Sequence, residues 1–164
     1  MPIGGKDAFL SKVTFRRESK WYSKTKQELK DMKTTKVITP YYEDGEFAGV
    51  RVTLGDEDFV IAPKDYRESD AMTWPEAMDA LKEDGLSTFN YRQICFTMAY
   101  RKEVDKVLKD NGGDGLDNRY WTCAECMVYN SFIYNGGNSC LYIYSKNCTC
   151  SVRPIKNLKK NNYE

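Results

Sequence analysis

Between Tyr129 and Ser151 the chain carries one charged side chain, Lys146. Four tyrosines, four serines, four asparagines, three cysteines and Gly136-Gly137 fill most of the rest. An amphipathic helix needs apolar residues three and four apart, and this stretch has no such period. Short strands joined by turns are the expected structure, and the core must be completed by the rest of the chain.

Upstream, "KVITPYYEDGEFAGVRVTLGDEDFVIAP" reads as β structure. Val50, Val52 and Leu54 alternate with Arg51 and Thr53, and Phe59, Val60 and Ile61 follow the turn residues Gly55-Asp56. "EDGE" at 43–46 is a second turn signal, so a short antiparallel meander is expected. A helix then starts at Thr73, an N-cap with Glu76 three residues on and Pro75 in the first turn. Ala77, Ala80 and Leu81 give its apolar face and Gly85 its end. Asn90 with Gln93 repeats the start signal. Ile94, Cys95, Met98, Val104, Val107 and Leu108 continue a helical period to Gly112-Gly113. Two short helices with a break near Tyr100 are preferred to one long one, with Cys95 a small core residue. The order is β, α, α, β.

At 164 residues the chain is expected to make one main domain. A net charge of +1 gives no whole-molecule reason to expect nucleic acid or an anionic membrane as partner. No segment approaches the ~20 apolar residues of a membrane span, so no membrane insertion is expected. The start has no apolar run of signal-peptide length, so synthesis in a reducing cytoplasm is expected. Export without a recognisable signal, or carriage on a phage particle, would leave the sequence unchanged. Residues 1–35 are Lys-rich and read as an arm that could form a homo-oligomer or dock the domain on a larger assembly. The domain itself spans 36–158, and 159–164 is a basic tail.

The chain has no histidine, which removes Ser-His-Asp and Cys-His catalysis and His-ligated zinc. Cys123-x-x-Cys126 and Cys148-x-Cys150 could together offer zinc four thiolates, but one of the two spacings is unusual for a zinc ribbon. A redox disulfide is a second reading. Free cysteines in a surface segment are the favoured one, and no metal or cofactor is expected. Asp110, Asp114 and Asp117 do not form an EF-hand loop and read as a helix end and turn.

Every residue type in 129–151 except Lys can be written with a pyrimidine-ending codon of any first two bases. Such codons cannot give Lys, Glu, Gln, Trp or Met. Those five types supply 31 of residues 1–120, so about six would be expected in this stretch of 23, and Lys146 is the one present. Asn codons randomised at their two adenines give the same set. Tyr supplies large rigid contact area, and Ser, Asn and Gly supply adaptable hydrogen bonds, which is paratope chemistry. A Tyr-rich strand with its turns is the plainer reading of the same composition.

The C-terminal half resembles a known family. "RYWTCAEC" looks like the Tyr-Trp-(Ser/Thr)-x-x-Glu motif of bacterial C-type-lectin-fold domains, and "SVRPI" looks like their closing Val-Arg-Pro. "LYIYSKNCTCSVRP" resembles the diversified tract of variable proteins of diversity-generating retroelements, found in gut bacteria and their phages. "FVIAPKDY", "TWPEAMDAL" and "KEVDKVLKDNGGDGL" extend the likeness over roughly residues 48–158. Ser131-Phe132 replaces a frequent Ala-Trp, Ser139 a Gly, and Thr122-Cys123-Ala124 a commoner Ser-Ser-Thr.

The resemblance implies an α+β C-type lectin fold, with short antiparallel sheets, two helices and a long irregular loop region. It puts Tyr120, Trp121, Glu125, Leu141, Lys146, Val152, Arg153 and Pro154 on framework positions. Trp121 and Val152 are then expected in the core. Glu125 and Arg153 are expected to pair or to satisfy loop backbone, as structural rather than catalytic groups. The diversified tract takes Tyr142, Ile143, Tyr144, Ser145, Asn147, Cys148, Thr149 and Cys150, and also Tyr129, Asn130, Asn135, Asn138 and Cys140. The implied function is a non-enzymatic ligand-binding protein with a hypervariable surface, recognising a protein or cell-surface target with tyrosines such as Tyr142 and Tyr144 as anchors. The alternatives are a small zinc-stabilised interaction module and an enzyme like the formylglycine-generating enzymes, which share the broader fold and use cysteines.

Overall fold

Asp44 and Gly45 both adopt positive φ, 51° and 84°, the two-residue turn that Asp-Gly favours because its twist matches the strands it joins. They connect β1 (Val37–Glu43) to β2 (Glu46–Leu54) in a computed structural model that describes residues 36–158. The arm 1–35 and the tail 159–164 lie outside the described residues. A second turn at Gly55-Asp56 leads to β3 (Glu57–Ile61). This is the expected meander: Val50, Val52 and Leu54 are buried, and Arg51 and Thr53 are half-buried. Phe59, Val60 and Ile61 are all buried, since both faces of β3 are covered. Arg51 meets the buried carboxylate of Asp58 with two nitrogens, at 2.9 and 2.8 Å.

After a 3₁₀ turn at Tyr66–Ser69 come three helices: α1 (Trp74–Glu83), α2 (Tyr91–Ala99) and α3 (Arg101–Asp110). The carboxylate of Glu76 accepts from the Thr73 N–H at 2.9 Å and from its hydroxyl at 2.8 Å. At α2, Asn90 and Gln93 exchange reciprocal bonds of 2.8 and 3.1 Å. Both are capping boxes at the expected places. The break falls at Tyr100, whose φ of −116° and ψ of 25° leave the helical region. It divides the 91–110 period into two helices, so the total is three rather than the two the resemblance implies. Cys95, expected in the core, is half-buried.

The second sheet is β4 (Arg119–Met127), β5 (Asn130–Asn135) and β6 (Cys140–Ser145), all antiparallel and in that order. Residues 129–151 are thus not a long irregular loop. Their β-branched and aromatic residues pair in two strands around a turn at 136–139. β7 (Ile155–Asn157) returns to the first sheet beside β3, giving the order β1-β2-β3-β7. The molecule is therefore α+β, with two small antiparallel sheets and three helices. Among the described residues no helix is long and apolar enough to cross a membrane.

Residues 150–155 stitch the parts together. Cys150 bridges Met72, Ser151 runs parallel to Tyr120, the Val152 carbonyl accepts from Tyr66 N–H at 2.7 Å, and Ile155 bridges Ser87. Trp121, Ile133, Cys150 and Val152 share a core cluster with Tyr66, Ala77, Ala80 and Leu81. The Trp121 indole donates to the Met72 carbonyl at 2.7 Å, so its one polar atom is satisfied inside.

Candidate functional site

The second sheet presents the surface that the sequence singled out. Of the eight exposed large hydrophobic side chains among the described residues, Met127, Val128, Tyr129, Tyr142 and Ile143 belong to it. Val128 and Tyr129 form the two-residue tip between β4 and β5, with Tyr129 79% exposed. Register sets the rest. Trp121, Ile133 and Tyr142 lie in one row across the sheet, and Tyr142 ends that row exposed at its edge. Phe132 and Ile143 form a row on the opposite face, where Phe132 also meets the Tyr91 ring of α2 at 5.6 Å between centroids. At Tyr142 and Ile143, β6 is thus exposed on both of its faces.

Thr122–Ala124 form a bulge in β4, three residues opposite Phe132 alone. Its polar groups are taken up: Thr122 donates to the Phe132 carbonyl and Ser131 to the Ala124 carbonyl, each at 2.8 Å, and the Trp74 indole donates to the Thr122 carbonyl at 2.9 Å.

Lys146 binds the far end of this hairpin. Its ammonium lies 2.5 Å from the Glu125 carboxylate, 3.1 Å from the Val128 carbonyl and 4.2 Å from the centre of the Trp74 ring. Its backbone N–H donates to the Tyr129 carbonyl at 2.9 Å, and its carbonyl accepts from the Trp74 N–H at 3.1 Å. Glu125 therefore pairs with Lys146 and not with Arg153.

Arg153 is fully buried and satisfies loop backbone. It donates to Asp65 at 2.8 Å, to the carbonyls of Ala62, Asp114 and Gly115 at 3.0 Å each, and to the Tyr120 hydroxyl at 3.4 Å. All five guanidinium N–H groups are thereby used, which makes a buried cation tolerable. At the other end of the sheet, Arg101 of α3 donates to the Tyr134 hydroxyl and, at 3.1 Å, to the Gly136 carbonyl. Tyr134 is buried and stacked on Tyr120, and Gly136 packs where a Cβ would come 1.8 Å from the Leu116 carbonyl oxygen.

The thirteen candidate positions divide clearly. Tyr129, Asn138, Cys140, Tyr142, Ile143, Asn147 and Thr149 are exposed. Asn130, Asn135, Tyr144, Ser145 and Cys148 are half-buried. Tyr144 packs its ring on Trp121 at 6.3 Å, and the Asn138 amide donates to the Tyr142 hydroxyl at 2.6 Å. Cys150 stands apart, 3% exposed within the core. Burial pushes its thiol up to about 11, with Arg119 opposing the shift and Cys148 adding to it. At neutral pH it is a protonated core thiol.

Cys123, Cys126, Cys148 and Cys150 do not gather. Among the described residues no group of three or more Cys, Asp or Glu side chains is placed to hold a metal ion. Sequence reasoning passed over Met127, Val128 and Arg119. Val128 was legible as half of a two-residue turn, where side chains of any type meet solvent, and Met127 as the strand residue that enters it. Arg119 is exposed and donates to the Tyr144 hydroxyl at 3.3 Å, a contact that depends on strand order. No protein-family model matches this chain, and no curated protein matches it in sequence.

Proposed function

We propose that this chain is a ligand-binding protein of C-type lectin fold, similar to the variable proteins of diversity-generating retroelements, displaying a diversified surface on its second sheet. One observation carries the reading. Of the positions that the resemblance assigns to framework, Tyr120, Trp121, Val152, Arg153 and Pro154 are buried, Leu141 is half-buried, and Lys146, paired with the exposed Glu125, is tied down through both its side chain and its backbone. Most positions that it assigns to the tract face solvent or lie half-buried. Lys146 sits within that tract, is its one non-pyrimidine residue, and is the one with a charge-paired, ring-packed side chain. Exposed positions of this kind change with stability shifts within about 0.5 kcal/mol, so such a surface can vary over a constant core. The target is a protein or cell-surface ligand, contacted by Tyr129, Tyr142 and Ile143, and the role is binding rather than catalysis.

Sequencing of this gene across a natural population of its source tests the reading. Variation concentrated in codons of 129–151, with Lys146 and Val152-Arg153-Pro154 fixed, is the expected result. Variation spread evenly along the gene would overturn diversification.

A further inference from the structure

The two sheets treat their edges differently. Edge strands invite pairing by other chains, and proteins blunt them with proline, bulges or charge. β1, the edge of the first sheet, carries Pro40 and Glu43 and a bulge between Tyr41 and Tyr42. β7, the opposite edge, has three residues and includes Lys156. β6 has none of these devices. Its sequence CLYIYS is uncharged, has no proline, and pairs with β5 over six residues without a register shift.

The groups that its outer edge offers follow from the ladder. The Lys146 N–H donates to the Tyr129 carbonyl, which flanks the Asn130–Ser145 pair and makes that pair the non-hydrogen-bonded kind. The Gly136 N–H donating to the Asn118 carbonyl gives the same phase from the β4 side. By alternation, Phe132–Ile143 and Tyr134–Leu141 are also non-hydrogen-bonded pairs. The N–H and C=O of Leu141 and Ile143 therefore point away from β5. Among the described residues no strand lies beyond β6, and no backbone bond from another segment reaches those four groups.

We infer that β6 is a strand-addition site, which captures an extended peptide segment of a partner protein through the outward backbone of Leu141 and Ile143. This rests on the ligand-binding reading above and assigns its geometry. In strand addition main-chain bonds supply affinity and alternate side chains supply selectivity. Tyr142 and Ile143, exposed on opposite faces of β6, flank such a segment on both sides. A second copy fits less well. Pairing β6 with itself engages six residues a side, against roughly 20–30 a side in a stable interface. Charge defines the segment further. Arg119 reaches the Tyr144 hydroxyl and makes no ion pair among the described residues, while β6 itself is neutral. An extended segment carrying an acidic side chain complements this edge.

The test selects short linear random peptides, displayed on phage, against the immobilised full chain. Selected peptides are then measured on a chain in which the Ile143 N–H is replaced by an ester oxygen, made by joining synthetic 140–164 to 1–139 at the native Cys140. The same chain joined with the ordinary amide is the control. A loss of about tenfold for the ester, with the control matching wild type, is expected, along with enrichment of Asp or Glu and weaker binding by Arg119→Gln. Ile143→Pro should reproduce the loss with its melting temperature retained, and should exceed the loss on Ile143→Ala, which keeps the amide and removes only the side-chain contact. Ester affinity within about twofold of the control overturns strand addition, as does failure to select any peptide, since main-chain pairing tolerates many sequences. Selected peptides without acidic residues, unaffected by Arg119→Gln, overturn the acidic preference. Population sequencing judges the parent reading separately. A variable tract with an indifferent ester leaves diversification standing and strand addition refuted, and even variation with a sensitive ester does the reverse.

Discussion

The ammonium of Lys146 sits 4.2 Å from the centre of the Trp74 indole, so a residue of the variable-looking tract is fixed to the first turn of α1. A desolvated cation–π contact is worth up to about 2 kcal/mol, and the Glu125 pair adds to it. Lys146→Met should cost about 1–3 kcal/mol in chemical denaturation. Asn147→Ala and Thr149→Ala, both exposed, should stay within about 0.5 kcal/mol.

Tyr142 and Tyr144 should separate. Tyr142→Ala removes a side chain at the sheet edge and should shift stability by less than about 0.5 kcal/mol while weakening ligand capture. Tyr144→Ala removes a ring packed on Trp121 and should cost about 1–2 kcal/mol, read as a lower denaturation midpoint. Equal effects of the two on stability would show that β6 is packed differently.

Gly136 and Gly137 should differ as sharply. A Cβ at Gly136 would overlap the Leu116 carbonyl, and one at Gly137 meets only the Asn135 side chain at 3.2 Å. Gly136→Ala should lose about 3 kcal/mol or more and Gly137→Ala less than about 1 kcal/mol, measured by urea unfolding.

Cys150 gives a pH signature. Its folded pKa of about 11 lies above the 9.0 of an unperturbed thiol, so the unfolded chain loses that proton first as pH rises. The contribution is complete below pH 9.0 and is lost through about 11, with a slope of at most about 1.4 kcal/mol per pH unit. Stability of wild type should fall more steeply over that window than that of Cys150→Ala. Exposed Cys140 should alkylate in the native protein at neutral pH while Cys150 does not.

Much of the fold was legible because its signals are local. The two capping boxes, the Asp44-Gly45 turn and the alternation of β2 each need only a few consecutive residues. The helix break at Tyr100 could likewise be placed from pattern, although its backbone angles could not. The tract was harder, because composition treats 129–151 as one class. Cys150 leaves that class through its bridge to Met72, and Tyr144 through a β6 register that sends it toward Trp121. The partner of Glu125 depended on the hairpin bringing Lys146 alongside, and that of Arg153 on a loop near Asp65. These are long-range contacts that a linear pattern does not carry.

The stitching of residues 150–155 across both sheets also makes closure of the core depend on the last part of the described chain. A stop codon or frameshift anywhere in 129–149 deletes Val152, Arg153 and β7, and with them the links to Tyr66, Asp65 and β3. A chain so damaged lacks the pieces that close its core and should be cleared by proteolysis as an unfolded product. Substitutions that preserve the reading frame keep that closure. The order of segments along the gene thus ties completion of the core to an intact reading frame through 129–149.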